Sequence, residues 1–543
     1  MWLIHTQTMK LHQLVDVEET PYAILSHTWE DEEVTFQEFH DLEKARQKKG
    51  FVKIHETCRI AASRGLHYAW VDTCCIDKSS SAELSESINS MFKWYQASEV
   101  CIVFLSDLPP NSSPFEDTIK FPHQFPRCRW LTRGFTLQEL IASSRLLFYD
   151  SSWNCRGTKS EWKSLISNTT GIDLDVLEDP ECLSSVPVGR RMSWAAKRKT
   201  QREEDRAYCL LGIFDVNMPL IYGEGGKAFM RLQQEIAKQT CDLTLFAWQQ
   251  EGPDPPYRGI LAQSSAEFAN CGSLKHKIRD ANLTNEYTFT NKGLRIETAL
   301  VTVPSVSEDY IWNLGCSWRD DWSKLEIQGY LGVFLAKTAN GYVRVQPNLL
   351  FEAGIQRRGR NLFGAFYMQA HLTKLEFARI NRCFEGAVCV RFPETLRIRT
   401  TAPEALWDQN RSLFFNHGQG INGYIHLQLD ESSERDFRRG FIVAYSTMER
   451  PLCVIWQQYD HAFSRVQGFM KSKVLADYVA ADYLRLRFGS QYSDAATSRA
   501  STLIVDPSSS MFISILVELQ EHEYQGQRGF VLNIHLSRGQ RRQ

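Results

Sequence analysis

The chain has 543 residues, a length typical of roughly two to four domains rather than of one compact core. Hydrophobic residues make up 43% of it and aromatic residues 12%, so the chain can bury sizeable cores and is globular. Because 62 Lys and Arg residues are balanced by 64 Asp and Glu residues, the formal net charge is −2, and neither nucleic acid nor a membrane surface is indicated as a partner.

The beginning of the chain lacks the basic segment and the long apolar stretch of a secretory signal. Its apolar runs, such as "CIVFL" and "MFISILV", are far too short to span a membrane. The 14 Cys residues show no regular spacing, and the adjacent Cys74 and Cys75 lack the separation of zinc ligands. We therefore expect reduced thiols, a cytoplasmic location, no metal and no membrane span.

Residues 1–150 alternate between short apolar runs and stretches with helical spacing. Ser81 is the candidate cap of a predicted helix in this part of the chain. Buried strands separated by helices predict βαβ units and a parallel sheet, so the expected fold class is α/β. Strands are predicted at 22–26, 68–72, 100–107 and 145–150, and helices at 34–64 (one or two), 81–98 and about 132–142.

Residues 151–240 contain further helical spacing, mainly in 191–214 and 226–239. After 254–259 the pattern changes to alternating runs punctuated by Gly and Asn, which predict a β-rich region. We place the boundary between the two regions near 240–255. The expected domains are 1–245, with an α/β core at about 20–150 and a helical extension at 151–245, and a β-rich C-terminal domain of unknown function at 246–543.

Polar and aromatic side chains follow the predicted parallel strands, at the edge where open α/β sheets bind their ligands. Capping of the next helix explains any one of these residues taken alone. Their concentration at one edge of the sheet nevertheless predicts a binding site there. The candidates after the first two strands are Ser26, His27, Trp29, Asp72, Cys75 and Asp77.

Glu139 is the one carboxylate in the otherwise apolar and basic segment "RWLTRGFTLQEL". On an ideal helix it lies about 200° from Leu137, on the side away from the apolar stripe. Trp130, Arg133 and Phe135 give it the aromatic and basic neighbours of a catalytic acid in a cleft. Helical spacing alone favours an ordinary surface position.

A thiol nucleophile is a further candidate, because Cys75 and His27 follow neighbouring strands of the predicted sheet. This interpretation requires a hydrogen bond between the two side chains. A buried thiol beside a hydrogen-bonded imidazole explains the same residues without chemistry and is the favoured interpretation.

Four long segments between residues 20 and 240 carry a family resemblance. They are "YAILSHTWEDEEVTF", "GLHYAWVDTCCIDKSSSAELSESINSMFKWY", "RWLTRGFTLQELIA" and "REEDRAYCLLGIFDVNMPLIYGEGGKAFMRLQQEI". They resemble the signature blocks of fungal heterokaryon incompatibility (HET) domain proteins, with Glu30 where Gly is usual and Phe135 where Trp is usual. The β-rich remainder is similar to the uncharacterised region that often accompanies the domain. The resemblance implies nonself recognition in fungal innate immunity, programmed death of fused cells, and an incompatibility partner protein.

A weaker likeness concerns the mechanism. "YAILSHTWEDEEVTF" is similar to the first strand and loop of Toll/interleukin-receptor (TIR) domains, and "RWLTRGFTLQEL" is similar to the helix that carries their catalytic glutamate. Glu139 occupies the matching position, whereas the insertion at 108–128 and Phe135 ahead of Thr136 depart from the TIR pattern. The likeness implies a TIR-like or flavodoxin-like parallel sheet with added helices, and self-association through the HET domain.

In enzymatic TIR domains the corresponding glutamate cleaves the nicotinamide–ribose bond of NAD⁺. The resemblance therefore implies NAD⁺ as substrate and Glu139 as catalytic residue, with no cofactor. One carboxylate suffices for this reaction, because nicotinamide is a good cationic leaving group and the enzyme has mainly to stabilise a ribosyl cation. Trp29 or Trp130 would stack on a ring of NAD⁺, and Arg133 would meet its pyrophosphate. Buried aromatic packing of the Trp residues, and a carboxylate or helix-end partner for Arg133, are the favoured alternatives. The alternative is a non-enzymatic adaptor that triggers cell death through the same self-assembly or through partner binding.

Overall fold

A computed structural model gives the arrangement of the chain. No helix in the part of the chain that it describes is long and apolar enough to cross a membrane. The described residues are 1–14, 20–110, 121–252, 255–276, 286–302, 309–318, 329–352, 360–382, 384–416, 421–429, 440–447, 452–457, 499–505, 511–524 and 527–540.

The N-terminal part is organised around a seven-stranded sheet. Its strands are β1 (Trp2–His5), β2 (Leu11–Gln13), β3 (Tyr22–His27), β4 (Tyr68–Trp70), β5 (Val100–Phe104), β6 (Leu146–Tyr149) and β7 (Cys155–Thr158). They lie side by side in the order β2-β1-β4-β3-β5-β6-β7, with β4, β3, β5 and β6 parallel and the outer pairings antiparallel. Every residue of β3, β5 and β6 is buried, as in strands covered on both faces. The four predicted strands and the α/β class are confirmed.

Helices pack on this sheet and continue beyond it. The region 34–64 forms three helices rather than one or two. The predicted helix at 81–98 is capped by Ser80 rather than Ser81, because the Ser80 hydroxyl accepts a hydrogen bond from Glu83 N. The helices are α1 (Phe36–Phe39), α2 (Leu42–Ala45), α3 (Phe51–Ser63), α4 (Ser81–Ala97), α5 (Thr136–Ala142), α6 (Lys159–Thr170), α7 (Leu174–Glu178), α8 (Val188–Ser193), α9 (Asp205–Tyr208) and α10 (Lys227–Gln239).

The helical spacing of 191–214 gives helix over only part of this stretch. Only α8 and α9 are helical in this stretch, and the residues between them run alongside the segment that precedes α5. Lys199 N donates to Thr132 O at 2.6 Å, and Gly134 N donates to Lys199 O at 3.0 Å. Tertiary hydrogen bonds therefore override the helical propensity of a sequence rich in Ala, Arg, Lys and Glu.

The predicted β-rich region is confirmed among the described residues. An eight-stranded sheet contains β8 (Tyr257–Arg258), β10 (Tyr287–Thr290), β11 (Gly293–Thr302), β12 (Tyr310–Asn313), β14 (Leu331–Thr338), β15 (Gly341–Val345), β16 (Phe351–Glu352) and β17 (Arg360–Met368), while β9 (Leu274–His276) pairs with β13 (Cys316–Trp318). Helix α11 (Lys374–Asn381) follows. A six-stranded sheet contains β18 (Val388–Arg391), β20 (Trp407–Asp408), β21 (Leu413–Phe414), β25 (Arg499–Val505), β26 (Met511–Tyr524) and β27 (Gln527–Gln540). A four-stranded sheet contains β19 (Leu396–Ala402), β22 (Asn422–Leu429), β23 (Gly440–Ser446) and β24 (Leu452–Gln457).

One apolar core joins the N-terminal sheet to the eight-stranded sheet. Its buried residues extend along the chain from Leu3 to Met368. A separate core with members from Val388 to Ile534 lies within the last two sheets. The helical part and the first β-rich sheet are thus packed together as one body, although the chain changes from helix to strand between Gln239 and Tyr257.

Candidate functional site

The parallel strands have a topological switch point between β3 and β5. The next strand in sequence after β3 is β4, which lies on its other side, so the chain proceeds in opposite directions across the sheet from β3. Open α/β sheets bind ligands at such a point, just beyond the carboxyl ends of the strands. Ser26 and His27 are the last two residues of β3 and therefore lie at this position.

Helix α5 brings Glu139 to the switch point. All of its residues from Thr136 to Ala142 are buried, and Glu139 is only 7% exposed. The helix contacts α4 on one side and α7 and β3 on others. The surface position favoured by helical spacing is therefore wrong, because a helix covered on several sides buries its polar face together with its apolar stripe.

A chain of hydrogen bonds holds the Glu139 carboxyl. The Ser26 hydroxyl donates to Glu139 Oε2, and the indole Nε1 of Trp130 donates to Ser26 Oγ at 2.7 Å. The Trp130 ring is fully buried, so it has no exposed face on which a ligand could stack. Its contact with Ser26 fixes the hydroxyl that in turn orients Glu139.

The surroundings of Glu139 raise the pKa of its carboxyl to about 8. Burial is the largest cause, and the negative charge of Asp72 adds to the rise, whereas Ser26, Tyr95 and Arg198 oppose it. In this closed arrangement the carboxyl is mostly protonated at neutral pH. The carboxylate forms as the pH rises through about 8.

Asp72, which follows β4, binds two of the predicted residues at once. Its Oδ1 lies 2.9 Å from His27 Nε2, and its Oδ2 accepts from Trp29 Nε1 at 2.7 Å. Burial acts to raise the pKa of Asp72, but His27, the charge of Lys78 and the Trp29 hydrogen bond outweigh it and lower that pKa to about 2. The site therefore pairs an ionised carboxylate with a neutral carboxyl, an arrangement by which enzymes assign different roles to two acids.

Trp29 presents a ring to solvent at this edge of the sheet. It is 39% exposed, and the Lys78 ammonium lies 3.6 Å from its ring centre. An exposed aromatic face beside a cation suits a ligand that carries both a planar base and phosphate groups. Lys78 was not among the residues predicted from the sequence, although it follows Asp77 directly.

The helical extension supplies a cation that the sequence analysis missed. Arg198 is half-buried, and its Nη1 donates to Arg133 O at 2.9 Å and to Thr136 Oγ1 at 3.0 Å. Burial lowers the pKa of Arg198 to about 10, while nearby negative charge, including that of Glu139, opposes the change. Arg198 lies inside the basic run "KRK", so no local pattern distinguishes it from its exposed neighbours.

The structure does not bring Cys75 and His27 together. The Cys75 sulfur accepts a hydrogen bond from Val71 N at 3.4 Å. His27 Nε2 contacts Asp72, and its buried Nδ1 has no hydrogen-bond partner. The thiol-nucleophile interpretation lacks the contact it requires, and Cys75 is a buried thiol.

Asp77 and Arg133 lie at the margin of the cluster. The Asp77 carboxylate accepts from Gln37 Nε2 at 2.6 Å and from Ser79 N at 2.9 Å, which is the capping alternative raised by the sequence. The Arg133 side chain is half-buried, and its carbonyl is the group that Arg198 binds.

Comparison with known proteins gives two matches. Residues 22–128 match the family model described as heterokaryon incompatibility protein (HET), a range that contains Ser26 and Asp72 and ends before Glu139. Over 221 residues the chain is 45% identical to the vegetative incompatibility protein HET-E-1 of Podospora anserina, and the alignment covers 40% of this chain but only 16% of that protein. No solved structure matches the chain significantly.

Proposed function

We propose that the chain carries a HET domain, which the family match over residues 22–128 supports, and that it acts in heterokaryon incompatibility as an effector of nonself recognition. Its 45% identity over 221 residues to a vegetative incompatibility protein supports this role. We further propose that the domain hydrolyses NAD⁺ at the nicotinamide–ribose bond, with Glu139 as the catalytic residue. The observation that carries the enzymatic proposal is the Glu139 carboxyl, buried at the switch point and bound to the Ser26 hydroxyl.

The proposed reaction uses the Glu139 carboxylate to stabilise positive charge on the ribose. The bond from C1′ to the nicotinamide nitrogen breaks, and nicotinamide leaves as a neutral base with the bonding electrons. Water adds to C1′ and releases one proton. Ser26 orients the carboxylate, and Trp130 holds Ser26.

Recognition of NAD⁺ is proposed to fall to the exposed edge of the cluster. The accessible Trp29 ring, fixed by its hydrogen bond to Asp72, would stack on a planar ring of the dinucleotide. Lys78, close above that ring, and Arg133 would supply positive charge for the pyrophosphate. The ionised Asp72 would add to the negative potential that favours a cationic ribose.

The closed state of the site suggests how activity is controlled. Glu139 is nearly inaccessible, and at neutral pH its carboxyl is mostly protonated, so this arrangement represents a resting state. We propose that self-association of the HET domain opens the site. Admission of water would lower the pKa of Glu139 toward its ordinary range and generate the carboxylate.

The same burial favours a second candidate function. A carboxyl that is enclosed and bound to a serine can be purely structural, and the domain would then trigger cell death as an adaptor through self-assembly or through a partner. This alternative requires no turnover of NAD⁺.

Expression of the full chain in a heterologous fungal host distinguishes the two functions. The variants are wild type, Glu139→Gln and the surface control Glu235→Gln, whose carboxylate pairs with Lys238 at 2.7 Å. The enzymatic proposal predicts loss of viability and of cellular NAD⁺ with wild type and the control, and neither with Glu139→Gln. Death caused equally by Glu139→Gln, with NAD⁺ unchanged, would establish the adaptor instead.

A further inference from the structure

A cleft lies at the end of the sheet opposite to Glu139. Its volume is about 590 Å³, within the range of sites for small molecules. It opens beside the first residues of β5 and β6, Val100 and Leu146. The residues that line it, named here the Lys159 cleft, are Arg64, Leu66, Glu99, Val100, Ser144, Arg145, Leu146, Leu147, Thr158, Lys159 and Ser160.

The chemistry of the Lys159 cleft suits an anion with an apolar part. Its lining contains three cationic side chains and a single acidic one, Glu99, which is paired with Arg145. The hydroxyl groups of Ser144 and Ser160 add hydrogen-bond donors, whereas the Thr158 hydroxyl already donates to Glu161 Oε2 at 3.0 Å. The opposite wall is aliphatic. Phosphate oxygens accept hydrogen bonds from such donors, and a nucleoside would cover the aliphatic wall.

Lys159 connects this cleft to the helix that carries Glu139. The side chain is 3% exposed, and its ammonium donates to Ile141 O at 3.2 Å and to Ser143 O at 2.8 Å. These carbonyls belong to the last turn of α5 and its C-cap, where a helix leaves its acceptors unpaired and favours positive charge. Lys159 therefore caps α5 within one turn of Glu139.

We propose that the Lys159 cleft binds a nucleotide-sized phosphate anion, which draws the Lys159 ammonium away from α5 and thereby loosens the helix that holds Glu139. A phosphate oxygen carries negative charge that the carbonyl oxygens of Ile141 and Ser143 lack, so the Lys159 ammonium gains an ionic attraction when it turns to the anion. The anion therefore competes effectively for the cap. If the proposed NAD⁺ hydrolysis is correct, the Lys159 cleft is an effector site for that reaction. Binding of the anion to the cleft and the loosening of α5 do not depend on that hydrolysis.

Binding of ADP to the full-length chain tests the site directly. Calorimetry at constant ionic strength compares wild type, Arg64→Ser/Arg145→Ser, the control Arg46→Ser and Glu139→Gln. Arg46 is an exposed arginine, 57% accessible, that does not line the cleft. We expect saturable binding that the double variant weakens by about tenfold or more and that Arg46→Ser and Glu139→Gln leave within about twofold. Pyrophosphate alone should bind more weakly than ADP, because it leaves the aliphatic wall uncovered.

Hydrogen exchange of the amides in α5 tests the coupling. ADP should raise the exchange rate of residues 139–142 in wild type by about tenfold. In Lys159→Met these amides should exchange fast without ADP and show no further change. No binding of ADP, binding that ignores the double variant, or binding without faster exchange in α5 would overturn the proposal. None of these readouts uses NAD⁺ turnover, so a failure of this proposal can be distinguished from a failure of the enzymatic proposal. If Lys159→Met does not fold, the variant at the exposed Arg64 and Arg145 still tests the cleft.

Discussion

At the scale of residues, Glu139 illustrates how burial and hydrogen bonding act against each other on one carboxyl. Enclosure by α5's neighbours and the charge of Asp72 favour the neutral acid, while Ser26, Tyr95 and Arg198 favour the carboxylate. Burial prevails and raises the pKa to about 8. The folded chain therefore holds a proton that the unfolded chain releases at a much lower pH.

Replacement of this acid is expected to stabilise the folded chain at alkaline pH. Because the folded pKa of Glu139 is raised from 4.5 to about 8, its contribution to stability is fully present below about pH 4.5 and is lost as the pH rises through about 8. Glu139→Gln has no proton to lose, so at pH 9 it should exceed wild type by a few kcal/mol, at most about 5, with little difference at pH 4.5. Denaturant unfolding at both pH values measures this, with Glu235→Gln as control. A difference between Glu139→Gln and wild type that does not change with pH would contradict the raised pKa.

At the scale of elements, the loop before α5 is held by the strand-like segment after α8. Gly134 lies where the two meet, and a Cβ there would lie 2.5 Å from Thr200 Cγ2 and 3.0 Å from Cys209 Sγ. The contact requires glycine for its close approach rather than for an unusual backbone angle. It ties the helical extension to the helix that carries Glu139.

Gly134→Ala is expected to destabilise the chain by about 1–3 kcal/mol through overpacking. Thr200→Ser removes the Cγ2 atom but keeps the hydroxyl that donates to Arg202 O, so Gly134→Ala/Thr200→Ser should recover part of the loss. The matched control is Gly272→Ala, whose Cβ would meet only Ser193 Oγ at an ordinary 3.7 Å. Thermal unfolding compares the four proteins, and equal stability of the two Gly→Ala variants would show that the junction is not tightly packed.

Local sequence patterns predicted the elements whose burial is reflected in the spacing of their own hydrophobic residues. The strands at 22–26 and 100–107 were recognised because strands buried on both faces are continuously apolar. The strand-end rule also grouped His27, Trp29 and Asp72, which the structure joins by hydrogen bonds. Each of these predictions depended on a periodicity or on the geometry of a parallel sheet.

Contacts from distant parts of the chain explain what could not be predicted. The neighbours of the Glu139 carboxyl, Ser26 of β3, Tyr95 of α4 and Arg198, all come from parts of the chain far from α5 in sequence. Arg198 reaches the site from 59 residues beyond Glu139 in sequence, within a segment that its composition predicts to be helical. The local pattern of hydrophobic residues indicates neither the burial of Glu139 nor the position of Arg198 at the site.

At the scale of the whole molecule, the first β-rich sheet packs against the segment that follows α10 and ends the helical part. Arg344 of β15 is 1% exposed and donates to Phe246 O at 2.9 Å and to Trp248 O at 2.5 Å. Its guanidinium also lies 3.8 Å from the centre of a Trp248 ring. Together with the continuous core, this contact gives a change in the first β-rich sheet a physical route to the N-terminal α/β region. Because the two regions share one core, the full-length chain is the form in which activity should be measured.

Nicotinamide release from NAD⁺ by the purified full chain, clustered on an affinity surface, tests the enzymatic proposal most directly. Wild type and Glu235→Gln should release nicotinamide at the same rate, and in the unclustered chain the residual rate should rise with pH through about 8 as Glu139 ionises. Glu139→Gln, with an unchanged fold by circular dichroism, should be slower by about a thousandfold or more. Absence of nicotinamide from clustered wild type, or a Glu139→Gln rate equal to that of wild type, would contradict the assignment of Glu139 as the catalytic residue.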